Sequence, residues 1–229
     1  MKTNNLPELP RLSIYHLMLW VFCTAAYLVM VQFLHELRPP TSPAFAELRR
    51  PTEIIAALIA GTCIAGVITL AQSWWLGRNP AISAAGHWLM IIEVFHLLVY
   101  NPIFATGIHV LHTSIHQLLL GTLCFIPTAM AARAAYHIPT IRWKLPFLLY
   151  ILEWAGMGIN FLMISWGLMP LWLGFGFFLQ LIPLLLMLSV ALAASYDLIA
   201  GEKRDWLHWT GVTTILAEVI QIVLWRIAI

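Results

Sequence analysis

The chain alternates between long apolar stretches and short polar segments. Hydrophobicity is continuous within each stretch rather than alternating from residue to residue, which favours helices over strands. A helix of about 20 residues crosses a hydrocarbon core of about 30 Å. The pattern therefore predicts an all-α fold, a polytopic membrane bundle of seven transmembrane helices. The predicted spans are Leu12–Leu34, Ile54–Leu76, Ile82–Tyr100, Gly107–Ala132, Leu145–Trp166, Leu171–Ser195 and Trp206–Ala228.

Proline marks where several of these helices begin, bend or end. The segment Arg38–Pro43 contains three prolines and predicts the end of the first span. Pro146 is placed in the first turn of the fifth span, where the missing N–H costs nothing. Pro127 and Pro183 lie inside spans, and we expect each to distort its helix.

The composition agrees with a membrane class. Hydrophobic residues make up 61% of the 229 residues and charged residues 10%, whereas soluble domains carry about 25% charged residues. Lipid is the solvent that this much apolar surface requires, so we expect one integral domain over residues 1–229 in the inner (plasma) membrane. The net charge of +2 gives no reason to expect nucleic acid as a partner. Partner membrane subunits are left open.

Lysine and arginine are distributed unevenly between the two predicted sides, which predicts the orientation. Cytoplasmic loops are enriched in these residues, so the richer side is assigned to the cytoplasm and the N-terminus lies inside. The poorer side carries Arg38, Arg49, Arg50 and Arg226. The richer side carries Lys2, Arg11, Arg78, Arg133, Arg142, Lys144, Lys203 and Arg204.

Ionisable residues concentrate around the junction of the third and fourth spans. Glu93 and His96 share one helical face, and His109, His112 and His116 share another. Charged residues inside a membrane are disfavoured and usually functional. Because the two helices run antiparallel across a short connection, we predict that these five side chains face one another near the outer surface.

These side chains suit a divalent metal ion, zinc or iron, because imidazole and carboxylate groups are ligands of such ions. The spacing Glu93-x-x-His96 is like that of di-iron carboxylate bundles, although only one such motif is present. Two histidines at i and i+4, His112 and His116, are expected to bind the ion, with Glu93 or His96 completing the site. Haem b ranks lower, because neighbouring helices about 8–10 Å apart leave little room for a porphyrin.

Three functions remain open from the residues alone. The first is a metalloprotein with this His/Glu site, which would include a membrane enzyme. The second is a proton or metal-ion pathway with Glu153 and Glu218 as relay carboxylates. The third is a structural subunit whose histidines only connect helices. A retinal protein is excluded because the seventh span contains no lysine for a Schiff base.

Two short patches, Leu17-Met-Leu-Trp20 and Gly86-His-Trp-Leu89, resemble segments of an uncharacterised family of bacterial multi-span membrane proteins. The resemblance implies a membrane location and brings no activity or cofactor. A third patch, Thr106 to His112, is similar to a segment of cytochrome oxidase subunit III. The order of the surrounding spans departs from that family, so nothing is carried over from it.

Overall fold

A computed structural model describes residues 13–36, 43–76, 84–100, 114–168, 172–202 and 204–227. These residues are almost entirely helical and contain no strand, which confirms the predicted all-α class. Five helical stretches among these residues are long and apolar enough to cross a membrane, and one of them, Ser114–His137, consists of two consecutive helices. The helices are α1 (Ile14–Glu36), α2 (Pro43–Trp75), α3 (Ala85–Phe95), α4 (Ser114–Leu123), α5 (Phe125–His137), α6 (Ile141–Ser165), α7 (Trp172–Ile199) and α8 (Trp206–Ile227), and α3 continues as a π-helix over His96–Tyr100.

Several helices extend beyond the apolar stretches that predict them. Helix α2 begins at Pro43 rather than Ile54, because proline is favoured at the first helical position and the residues after it are good helix formers. Between α5 and α6 only residues 138–140 are non-helical, so Arg133 and Arg142 lie within helices and not in a loop. A helix is not obliged to end where the hydrocarbon ends, and polar residues continue it into the interface.

The prolines in the spans behave differently from one another. Pro127 is the third residue of α5, and the helix is interrupted just before it at Cys124, as expected from its missing N–H. The placement of Pro146 in a first turn is wrong. Helix α6 begins at Ile141, so Pro146 is its sixth residue and cannot donate to the carbonyl of Arg142.

One face of α6 forms much of the core. Trp143, Phe147, Tyr150 and Trp154 recur at three or four residues and are all at most 4% exposed. This face packs against α4, α5 and α7. Helix α1 packs mainly on α2. The three cysteines Cys23, Cys63 and Cys124 are free and buried.

Helices α3 and α8 approach each other unusually closely at a pair of glycines. A Cβ atom added to Gly211 would lie 2.0 Å from the carbonyl oxygen of Gly86. No other residue type fits at this crossing without moving a helix. The contact holds the two helices together one to two turns from the acidic residues described below, and it fixes their relative rotation.

Helix termini that are distant in sequence meet at one end of the bundle, here called the Asp197 end. Arg142 at the start of α6 contacts Asp197 at the end of α7. His208 in the first turn of α8 accepts a hydrogen bond from the backbone N–H of Gly86 at the start of α3. The ring of Trp206 in α8 packs against that of His16 in α1. Helices α1, α3, α6 and α8 therefore begin at the same end, where α7 finishes.

Candidate metal centre

The motif Glu93-x-x-His96 lies where α3 changes from α- to π-helix. Glu93 is in the last turn of the α-helical part, and His96 is the first residue of the π-helix. The spacing of three residues places both side chains on one face. A π-helical turn inside an α-helix is rare and is frequently found at functional sites. Local geometry therefore directs both groups toward the same neighbour, α8.

Helix α8 supplies the third polar group of the site, Glu218. The Nδ1 atom of His96 lies 3.0 Å from Oε1 of Glu218 and 3.6 Å from Oε2 of Glu93. One ligand atom from each of the three side chains lies within 4.8 Å of the other two. Among the residues that the structure describes, this is the one group of three or more histidines, cysteines and carboxylates that meets this spacing.

Helix α6 forms the wall of the site through two residues one turn apart. The hydroxyl of Tyr150 donates a hydrogen bond of 2.5 Å to Oε1 of Glu93. The ring of Trp154 packs edge-to-face on the imidazole of His96, with centroids 5.2 Å apart. Both aromatic side chains are almost fully buried. They restrict the orientation of Glu93 and His96 without supplying a charge.

The two oxygens of Glu93 have different surroundings. The side chain is 1% exposed. Oε1 accepts the hydrogen bond from Tyr150, whereas Oε2 points toward His96 and has no hydrogen-bond partner among the described residues. Buried polar atoms are nearly always satisfied, so an exception needs an explanation. His96 and Glu218 are less buried, at 21% and 16% exposed.

The structure brings together only part of the group predicted from the sequence. Glu93 and His96 lie together as expected. The third donor is Glu218, for which the sequence suggested a relay role. His116 is buried in α4, and its Nε2 has no hydrogen-bond partner among the described residues, but it is not one of the three clustered donors. His109 and His112 lie outside the described residues.

Two further residues, Glu153 and Tyr150, differ in how the sequence and the structure place them relative to the site. Glu153, the other suggested relay carboxylate, lies on α6 and is not one of the three clustered donors. Tyr150 was missed by the sequence analysis. A tyrosine in the middle of a span with a tryptophan four residues later is the signal that would have indicated a polar partner on the facing helix, because a buried hydroxyl needs an acceptor.

A second buried polar network at the Asp197 end was also missed, because Asp197 was placed beyond the sixth span. Helix α7 continues to Ile199 and Asp197 is fully buried. Its Oδ1 accepts from Nε of Arg142 at 2.8 Å. Its Oδ2 accepts from Trp143 at 3.0 Å and from Nε of Arg204 at 2.9 Å. Both guanidinium groups also contact Glu202. This network joins α6, α7 and the segment before α8.

Asp205 caps the N-terminus of α8 and connects it to α3. Its Oδ1 accepts from the backbone N–H of His208 at 2.7 Å and lies 3.0 Å from Nε2 of His87. Burial acts to raise the pKa of Asp205, but the hydrogen bonds and charge of its partners outweigh it and lower that pKa below 3.8. His87 and His208 thus both form hydrogen bonds between α3 and the start of α8.

Comparison of this chain with protein-family models, with curated proteins and with solved structures found no match. The resemblance to bacterial multi-span proteins therefore stays a prediction, and the functional argument depends on the geometry of the site.

Proposed function

We propose that this protein is an integral membrane protein that binds a divalent transition-metal ion, zinc or iron, through Glu93, His96 and Glu218. The observation that carries the proposal is the convergence of these three donors from two helices, with a buried carboxylate oxygen that has no hydrogen-bond partner among the described residues. The donors sit within apolar helices, where ionisable groups are costly and usually mark a functional site.

The spacing of the donors suits a small ion. Zinc binds nitrogen and oxygen at about 2.0–2.1 Å, so ligand atoms around a tetrahedral ion are about 3.3 Å apart. The two distances from Nδ1 of His96 to the carboxylates, 3.0 and 3.6 Å, lie on either side of this value. Three protein ligands would leave a position for water or substrate, as in catalytic rather than structural zinc sites.

The charge of the site also favours a divalent cation. The helical stretches 85–100, 145–166 and 206–224 contain no lysine or arginine. Two carboxylates are thus balanced by one imidazole, and an uncompensated charge in a low-dielectric interior is strongly unfavourable. A divalent ion balances both carboxylates while the imidazole stays neutral.

The arrangement of helix termini supports seven spans with alternating direction. If consecutive spans cross the membrane in opposite directions, the starts of α1, α3, α6 and α8 and the end of α7 lie on the same side. These are the helix ends that meet around Asp197. We propose that this end faces the cytoplasm of the plasma membrane, since Arg133, Arg142, Lys144 and Arg204 lie near it and positive residues prefer that side. The metal site would then open on the opposite side, because the preceding turns of α3 and α8 present buried Met90 and Ile215.

Metal content tests the proposal directly. The protein is purified in detergent without chelator, loaded with Zn²⁺ or Fe²⁺, desalted and analysed for bound metal per chain. We expect about one ion per chain in the parent, and loss of stoichiometric metal in Glu93→Gln, His96→Gln and Glu218→Gln. Glu153→Gln is the matched control, because it makes the same change on a neighbouring helix outside the site.

The variants separate the remaining possibilities. A parent without metal, or metal that survives all three substitutions, would refute the proposal and leave a structural role for the three side chains. His116→Ala reports whether the site extends to α4 as the sequence suggested. Retained metal in that variant would limit the site to α3 and α8, whereas loss would add His116 as a fourth ligand.

A further inference from the structure

The hydrogen bond from Tyr150 makes the two oxygens of Glu93 different from each other. The phenol is 2.5 Å from Oε1, while Oε2 is the oxygen that lies 3.6 Å from Nδ1 of His96. Each carboxylate oxygen has two lone pairs, so this bond does not saturate Oε1. It does hold the carboxylate in one orientation, with Oε2 as the oxygen turned toward the imidazole of His96. Partners of this kind orient metal ligands, and removing them typically weakens metal affinity about 10–100-fold.

The position of the Tyr150 hydroxyl is fixed by packing. The ring is 4% exposed and belongs to the core face of α6, between Phe147 and Trp154. A tyrosine has only two side-chain torsions, and dense packing leaves no room for a second rotamer. Tyr150 therefore cannot follow Glu93 if the carboxylate rotates to present both oxygens.

We propose that Tyr150 determines which ion the site accepts, by restricting Glu93 to one-oxygen coordination. This inference rests on the proposed metal site. Ca²⁺ takes six to eight oxygen ligands and often uses both oxygens of a carboxylate. Zinc and ferrous ions accept fewer ligands and bind imidazole well. With Oε1 of Glu93 held by Tyr150 and a nitrogen among the donors, the site discriminates against calcium. Tyr150 is a positioning residue, since it acts through Glu93.

The test compares the parent with Tyr150→Phe in lipid nanodiscs, with Zn²⁺ and Ca²⁺ titrated separately by calorimetry. The substitution keeps the ring and removes the hydroxyl. We expect the Zn²⁺ affinity to fall about 10–100-fold and the preference for Zn²⁺ over Ca²⁺ to shrink. Tyr196→Phe is the control. Tyr196 lies at the Asp197 end beside Arg142, and its change should alter neither affinity.

Infrared difference spectra provide a readout that a purely structural role would not change. The separation of the two carboxylate stretching bands distinguishes one-oxygen from two-oxygen coordination, and the band absent in Glu93→Gln belongs to Glu93. We expect a one-oxygen signature in the Zn²⁺-bound parent and a two-oxygen signature in Tyr150→Phe. The measurement on the parent stands even if Tyr150→Phe fails to fold, because a two-oxygen signature there would overturn the inference.

The outcomes for the two proposals can be told apart. Zn²⁺ binding by the parent with the same ion preference and carboxylate signature in Tyr150→Phe would overturn the role of Tyr150 and leave the metal site intact. No Zn²⁺ binding by the parent would overturn both. Loss of affinity in Tyr150→Phe together with a changed Glu93 signature would support the inference.

Discussion

Replacing Asp197 by asparagine should destabilise the bundle much more than the same change at Glu202. Both carboxylates contact Arg142 and Arg204, so the pair of variants removes one charge from one network. They differ in burial, since Asp197 is 0% exposed and Glu202 is 35% exposed. The two positions therefore differ in burial and in the hydrogen bond that Asp197 accepts from Trp143.

The magnitude follows from the contacts of Asp197. Each oxygen of Asp197 accepts from two donors. Asparagine presents only one oxygen, and an NH₂ group takes the place of the other. Either orientation of the amide places a donor against a donor. Removing one partner of a buried ion pair costs about 3–5 kcal/mol, and we expect the lower end because both arginines keep Glu202 and are partly exposed. Losing an exposed pair costs about 0–1 kcal/mol.

Thermal unfolding in detergent, followed by intrinsic fluorescence, measures both variants. Trp143, which donates to Asp197, is one of 11 tryptophans, so the signal follows unfolding of the bundle as a whole. A loss of about 3 kcal/mol corresponds to a decrease in Tm of about 6–12 °C in a domain of this size. We expect a decrease of at most about 4 °C for Glu202→Gln. Equal decreases for the two variants would refute the reasoning, because burial would then not determine the strength of the network.

Three further predictions concern topology, helix packing and pH. A reporter fused after Ile229 should be extracytoplasmic and one inserted at 138–140 cytoplasmic, and the reverse pattern would show that the charge distribution misassigns the sides. Gly211→Ala should separate α3 from α8 and lower both Tm and metal binding. Gly66→Ala should lower Tm less, because its added Cβ meets the flexible end of the Met90 side chain. Equal effects of the two variants would contradict the packing argument. Since folding lowers the pKa of Asp205 below 3.8, its contribution to stability is present above that pH and disappears as the pH falls through the folded pKa. The difference in Tm between the parent and Asp205→Asn should therefore begin to narrow as the pH falls below about 4, and a difference that persists unchanged at pH 3 would show that the charge of Asp205 is not its source.

The buried acidic residues lie in apolar helices, and the structure shows which partners each of them has. Two separate groups of buried acidic residues occur in the helices. One group, around Asp197, has arginine partners, and both oxygens of Asp197 accept hydrogen bonds. The other, around Glu93, has only a histidine and a tyrosine. The first group suits a structural role and the second suits a site for a cation.

The sequence by itself determined the fold class, the existence of the helices and the identity of Glu93 and His96 as a pair. These properties depend on local features, namely long runs of apolar residues and a spacing of three along one helix. The same reasoning failed at helix ends, as at Pro43 and Pro146, because no sharp change in hydrophobicity marks them.

Only the tertiary structure decided which distant side chains join the site. Glu218 follows Glu93 by more than a hundred residues, and its approach depends on the crossing of α3 and α8 at Gly86 and Gly211. Tyr150 reaches Glu93 because the core face of α6 points toward α3. Such contacts are set by the relative rotation and depth of packed helices. The hydrophobic pattern of a sequence indicates which stretches form apolar helices, but it does not determine the rotation or the depth of one helix relative to another.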